Sequence, residues 1–355
     1  MDSKRNLLTA ISAAGFLIVG AATISNVYLS ESAADVVIVE NGGSVQDAMR
    51  KAVWEPAAKA LGLTFGEDTS QSWTEARAQV DAGAVTWDIV SLGMGEVQLA
   101  VHAGVLMKLP SDIVNRDDFA PGSVNDYCVG NTLVSTVIGF NTAKFGYAGP
   151  ANMVDFWDVK NFPGKRGLFR SPRGNMEAAV LALGRPQSEV YNFLSTEEGR
   201  QMALEKIAEL KPYVVWWESG AQATQLVKDG EIDMIYGWSG RIMAAVDNGA
   251  TFKIVYKDGL LDNDCYAIVK GAPHPRNAIA FLKEISKVKY VKDMPKYGNY
   301  GSSNLKAYKG YDEATLARLA SSPKNMTEQY PSNVEFWGKN GTALSEAFDH
   351  MLLSK

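Results

Sequence analysis

Histidine and cysteine are scarce in this 355-residue sequence, with three of the first and two of the second. His102, His274 and His350 stand far apart, and no HExxH, CxxC or paired-histidine spacing offers a zinc site. A GxSxG elbow, a P-loop and a GxGxxG turn after a strand are all missing, so no nucleophile–base pair or phosphate cradle can be assembled. The residues therefore predict a protein that is not an enzyme and needs no metal or cofactor. An excess of positive charge is also lacking. Lys and Arg number 35 against 40 Asp and Glu, a formal charge of −5, which argues against nucleic acid as a partner. Beyond the first thirty residues no run is apolar enough to cross a bilayer.

What is present begins at the N-terminus. A basic start, Met1-Asp-Ser-Lys-Arg5, precedes an apolar run from Leu7 to Ile24 and the small residues Ser32 and Ala34. This is the pattern of a secretory signal over residues 1–34. The alternative is an uncleaved anchor, which Gly15, Gly20 and many alanines make weak. No cysteine stands at the cleavage site to carry a lipid. Removal leaves roughly 320 residues, enough for two packed lobes, in the periplasm. There, Cys128 and Cys265 either form one disulfide or remain two buried thiols. If joined, they would close a loop of about 137 residues, a constraint of ~4–5 kcal/mol on the chain-entropy account.

Along the mature chain, apolar strands alternate with amphipathic helices. Asp35–Gly43 reads as a strand running into a glycine turn, followed by a helix from Val45 to Leu61 with Ser44 as N-cap. Leu63–Gly66, Trp87–Gly93, Arg166–Arg170, Tyr213–Trp217, Ile232–Gly237, Phe252–Tyr256 and Asp264–Val269 read as further strands, with helices between them. Such alternation predicts an α/β protein with a parallel sheet covered on both faces. No linker separates two halves, so the chain is expected to cross between lobes more than once.

The order of motifs is familiar. Trp87-Asp-Ile-Val-Ser with Ala103-Gly-Val-Leu-Met-Lys-Leu109, then Ile138-Gly-Phe-Asn141, Phe156-Trp-Asp-Val-Lys-Asn-Phe-Pro-Gly-Lys-Arg-Gly167, Asp229–Gly240 and Asp262–Ile268 follow one another as in one known family. Over nearly the whole mature chain the sequence resembles the periplasmic spermidine/putrescine-binding proteins of ATP-driven importers, within the type II solute-binding superfamily. The resemblance implies a two-lobed Venus-flytrap fold with a two-crossing hinge and an interlobe cleft. Lobe 1 would hold 35–140 and 264–302, and lobe 2 would hold 141–263 and 303–355. It also implies a monomer that hands a small amine-bearing solute to a membrane permease. Both cysteines would approach the hinge, which favours the bridge.

The resemblance assigns residues as well. Asp264 falls on the family's amine-binding aspartate, and Trp238 and Tyr300 fall on aromatic residues lining the cleft. Asp262 replaces a family tryptophan with a second anion. Arg170 replaces the first of the family's ligand-binding acids, and Arg173 follows it just before a helix start. An arginine would repel the far ammonium of a diamine and would welcome a carboxylate. A zwitterion such as γ-aminobutyrate or another amino acid is therefore expected, its ammonium near Asp264 and Asp262 and its carboxylate near Arg170 or Arg173. For each residue a plainer role stands open: Asp264 as a turn residue, Trp238 in a core, and the arginines in solvent or paired with Glu177. Ser44, Ser91, Gly93, Glu96 and the Trp216–Glu218 strand end are secondary candidates. An iron(III)- or anion-binding relative of the same fold, using Tyr290, Tyr297 and Tyr300, is the rival reading.

Overall fold

The computed structural model describes residues 34–70 and 72–354, so the secretory signal expected over residues 1–34 lies almost wholly outside the described residues. Ten strands form one sheet: β1 Val36–Glu40, β2 Phe65–Thr69, β3 Ile89–Gly93, β4 Cys128–Asn141, β5 Arg166–Phe169, β6 Val214–Trp217, β7 Met234–Trp238, β8 Phe252–Ile268, β9 Gly301–Ser302 and β10 Tyr330–Pro331. The main order is β2-β1-β3-β8-β4-β7-β5-β6, with β9 beside β4 and β10 beside β8.

The outer strands are parallel in each half: β1 with β2 and β3, and β5 with β6 and β7. The centre is antiparallel. There β4 and β8 pair with each other along nearly their full length, through two register shifts, while β3 flanks one end of β8 and β7 one end of β4. The sequence reading found the parallel units but divided β8 into Phe252–Tyr256 and Asp264–Val269. The residues between them, Lys257-Asp-Gly-Leu-Leu-Asp-Asn263, look like a turn because Asp and Gly are poor strand formers. Residues 260–263 are held by pairing with β4, and Leu260 and Leu261 also by β10, while Asp258 at φ 64° marks a bulge where the register of β4 and β8 shifts.

Side-chain alternation along the strands builds the two halves. In the first half, Val36, Ile38, Ile89, Tyr266 and Ile268 enter a core on one sheet face, while Val39, Val90, Leu92, Cys265 and Ala267 enter a core on the other. In the second half, Ile138, Phe140, Leu168, Met234 and Tyr236 face one way, and Val137, Trp217 and Ile235 the other. Ile138 and Phe140, expected in lobe 1, thus pack with the second half. Residues 303–320, expected in lobe 2, instead place Ala307, Tyr308 and Leu319 in the first core. The chain returns to the second half with Tyr330 and the helix Val334–Leu353, whose Phe336, Trp337, Leu344 and Phe348 are buried there. Apolar residues at turn-rich positions 305–308 fit either core by type alone, which is why the sequence misplaces them.

Candidate ligand-binding site

Three parallel strands of the second half end in aromatic residues: Phe169 on β5, Trp217 on β6 and Trp238 on β7. Their ring centroids lie 4.7–5.2 Å apart. Carboxyl ends of parallel strands are where open α/β sheets present their binding surfaces. Trp217 is fully buried and Trp238 only partly, so Trp238 offers the accessible ring.

On the first half, β3 ends at Gly93, which pairs with Asp264 of β8. A Cβ on Gly93 would stand 3.6 Å from Asp264 Oδ1, an ordinary contact, so the carboxylate lies directly alongside the end of β3. Burial lifts the Asp264 pKa well above the usual carboxylate range, and the charges of Asp262, Glu40 and Glu96 lift it further, against a smaller opposing pull from Arg173. Among the described residues Asp264 has no hydrogen-bond or ion-pair partner. Its acidic neighbours are differently placed. Glu40 accepts hydrogen bonds from Tyr266 Oη at 2.8 Å and from the Asn41 N–H at 3.0 Å, and burial raises its pKa. Glu96 accepts from the Trp73 N–H at 3.3 Å and is also raised by burial.

Arg173 sits in the first turn of the helix Pro172–Ala182, where Gly174 at φ 87° bends the backbone out of helical geometry. Its Nη2 donates to Asp262 Oδ2 at 2.5 Å and to Ser332 Oγ at 3.0 Å. Burial works against its charge, yet Asp262 and Glu177 outweigh that and the net shift is upward. Arg170 lies farther out, with its side chain 44% exposed, 3.2 Å from Glu218 and 3.7 Å from Asp349. Both arginines singled out in the sequence are therefore already opposed by acids. Glu177 pairs with neither. It accepts from the Gly174 N–H, Tyr191 Oη and Trp337 Nε1.

Tyr300 is buried, and its hydroxyl lies 2.8 Å from Ser44 Oγ. Ser44 is not the helix cap expected of it. That position is Gly42, and the Ser44 hydroxyl is shared with Tyr300 and with Arg241, whose Nη1 donates to it at 3.1 Å. Because Ser44 and Tyr300 belong to the first half and Arg241 to the second, this group spans the gap between them. A second spanning group lies beside it, where Asp247 accepts from Asn299 at 2.7 Å and from Arg318. Glu40 and Arg241 were not found from the sequence. Arg241 did leave a signal there: a cation in the first turn of a helix opposes the helix dipole and calls for a reason. The three tyrosines of the iron reading do not converge as a pair, since Tyr290 donates to Glu284 and Tyr297 is 49% exposed. No group of His, Cys, Asp or Glu among the described residues could hold a metal ion.

Cys128 and Cys265 form the disulfide that the resemblance favoured, joining β4 to β8 immediately after Asp264. Met94 Sδ lies 3.6 and 3.7 Å from the two sulfurs. The bridge thus fixes the strand that carries the central carboxylate.

Comparison with known proteins agrees with this architecture. Residues 63–327 match the family described as "Bacterial extracellular solute-binding protein". The chain is 30% identical over 317 residues to the γ-aminobutyric acid-binding protein of Pseudomonas aeruginosa, covering 88% of this chain and 90% of that one. It is 24% identical over 276 residues to the putrescine/agmatine-binding protein of the same organism, covering 70% and 74%. Among solved structures, the periplasmic binding protein MotA from A. tumefaciens B6, in complex with glucopine, is 52% identical with a TM-score of 0.84, over 90% of this chain and all of that one. With a sheet carried across two halves by β4 and β8, and the family matched over most of its length, the chain belongs to the bacterial extracellular solute-binding proteins.

Proposed function

We propose that this protein captures a zwitterionic, amino-acid-derived solute in the periplasm and delivers it to the permease of an ATP-driven importer. The observation that carries the reading is Asp264, a carboxylate with no hydrogen-bond or ion-pair partner among the described residues, beside the end of β3 in the first half. An ammonium there would gain a charge-assisted hydrogen bond, and the partly exposed Trp238 ring of the second half would add cation–π attraction of ~0.5–2 kcal/mol where closure brings it over the same group. Three further acids nearby add negative potential that is not fully neutralised by Arg173. The arginines on the second half oppose a second ammonium and suit a carboxylate.

Relatives support the same class. γ-Aminobutyrate carries an ammonium and a carboxylate, and the MotA structure holds glucopine. Phe169 and Trp238, both partly exposed over the buried Trp217, offer apolar faces to a bound solute. Titration calorimetry of the purified protein with glucopine, γ-aminobutyrate and putrescine tests this. Glucopine or γ-aminobutyrate is expected to bind at least ~100-fold more tightly than putrescine, a difference of about 2.7 kcal/mol. Tight putrescine binding without any response to the other two would sink the proposal.

Capture is by closure of the two halves, because contacts made to both favour the closed form. Gly240 tests closure separately. A Cβ at this position would come within 2.6 Å of Tyr300 Cε1 on the opposite half. Gly240→Ala is expected to weaken ligand binding about tenfold or more, with thermal unfolding of the ligand-free protein changed by no more than ~2 °C. Unchanged affinity would mean that these two residues need not approach in the bound form.

A further inference from the structure

Asp247 is an acid at the place where a helix least favours one. It is the last residue of the helix Ser239–Asp247, at the negative end of the helix dipole. What offsets this comes from the opposite half. Asn299 Nδ2 donates to Asp247 Oδ2 at 2.7 Å, and Arg318 Nη2 donates to Asp247 Oδ1. Arg318 Nε donates in turn to Asn299 Oδ1 at 2.9 Å. The three side chains thus form a closed ring, each bonded to the other two.

The ring joins the halves. The helix Ser239–Asp247 packs into the second half through Ile242 and Ala245, whereas Asn299 and Arg318 directly precede Tyr300 and Leu319, which enter the first core. Trp238 stands just before the helix start, and at 1.5 Å per residue about 12 Å of helix separates that start from Asp247. The ring is therefore an interlobe contact set away from the aromatic end of the site. It is also open to solvent. The Arg318 side chain is 41% exposed and that of Asp247 47%, and Arg318 borders an open groove with Lys253 and Tyr256. Dissolved salt reaches and screens such a pair.

We propose that Asp247, Arg318 and Asn299 form a latch that holds the two halves together without touching the solute, and so sets how much of the ligand-free protein is closed. Affinity for every solute then scales with that closed share, because a ligand held by the closed form binds more weakly as that form becomes scarcer. The inference rests on closure of the two halves and not on the zwitterion reading. Salt that screens the pair loosens the latch, which makes the ionic strength of the medium a control on capture.

Small-angle scattering of the ligand-free protein reads the latch directly. Asp247→Asn is expected to enlarge the radius of gyration. Raising NaCl from about 20 mM to about 500 mM should enlarge that of the parent and leave the variant unchanged. In calorimetry, Asp247→Asn and Arg318→Gln should each weaken glucopine and γ-aminobutyrate by the same factor, about three- to fivefold, with no further loss when combined. Exchanging the pair, Asp247→Arg with Arg318→Asp, should restore the parent values, because the Asn299 amide can turn over to serve either arrangement. Thermal unfolding verifies that the variants fold, and the salt response of the parent is the readout if they do not. A radius that ignores both salt and Asp247→Asn overturns the latch. So does a loss that differs between the two solutes, which would make Asp247 a ligand contact. Parent protein that binds neither solute overturns the zwitterion reading alone, and the scattering still decides the latch.

Discussion

Replacing Asp264 with Asn is expected to abolish solute capture and, in the same variant, to raise the melting temperature of the ligand-free protein near pH 8. The two effects have one origin. Burial and the charges of Asp262, Glu40 and Glu96 all disfavour the ionised carboxylate, and among the described residues nothing donates to it. On the function proposed above, the ammonium of the solute offsets the cost of that anion. Asparagine keeps the shape and removes the charge, so affinity should fall at least ~100-fold. The ligand-free protein should gain a few degrees, since about 1 kcal/mol is worth ~2–4 °C in chains of 150–250 residues. Calorimetry and thermal unfolding measure the two together. A variant that loses affinity but is also destabilised would show Asp264 to be a structural residue instead.

The same groups set the pH dependence. Asp264, Glu40, Glu96 and Glu177 all have pKa values raised on folding, in each case chiefly by burial. The folded state therefore keeps protons that the unfolded chain releases near pH 4. Stability from these groups is complete below the unfolded values and is lost as pH rises through the raised ones. Glu284, held at about 2 by Lys287, Lys289 and Tyr290 against its burial, works in the opposite sense, but its contribution fails only below about pH 4. Above the range near pH 4 where the unfolded carboxylates titrate, the raised set decides the sign, so the ligand-free melting temperature should climb as pH falls towards that range. Solute affinity should fall over the same interval, because protonated Asp264 offers an ammonium no charge. Opposite slopes in one thermal series, with and without glucopine, are the expected result. Parallel slopes would detach Asp264 from the ligand.

Much of this arrangement is legible in the sequence, and the parts that are not share a physical reason. β1, β3, β5 and β7 announce themselves as short apolar runs, because strands buried on both faces need no alternation. Trp238, Asp264 and Tyr300 are singled out through motif order; the turn-rich surroundings of Tyr300 suggest an open ring, but it is buried, with its hydroxyl on Ser44. The partner of each arginine is another matter. Arg173 meets Asp262, 89 positions away, and Arg241 meets Ser44, 197 positions away. No local pattern encodes such pairings, so sequence reasoning chose the arginines at a helix start near a family acid position and passed over the one left unpaired. The central strands were obscured for a related reason: β4 and β8 are each held by partners on both sides over a length their own composition does not suggest.

Loss of the Cys128–Cys265 bridge is expected to be the most damaging change outside the site. The two cysteines are 137 positions apart, so the bond removes a large share of the freedom of the unfolded chain. Removing a native disulfide from a secreted domain costs ~2–5 kcal/mol. The double variant Cys128→Ala, Cys265→Ala should therefore melt roughly 5–15 °C lower than the parent. Its effect on binding follows from position. Cys265 is the next residue after Asp264, and the bond ties β8 to β4 at the end where β3 also pairs. Without the bridge, Asp264 is held only by backbone pairing and by packing around Met94, so affinity for the solute should fall about three- to tenfold. Reductant added to the parent should reproduce both changes, and should do nothing further to the double variant. A variant that melts lower but binds as tightly would confine the disulfide to stability, whereas an unchanged melting temperature would mean that the sheet alone holds the two crossing strands together.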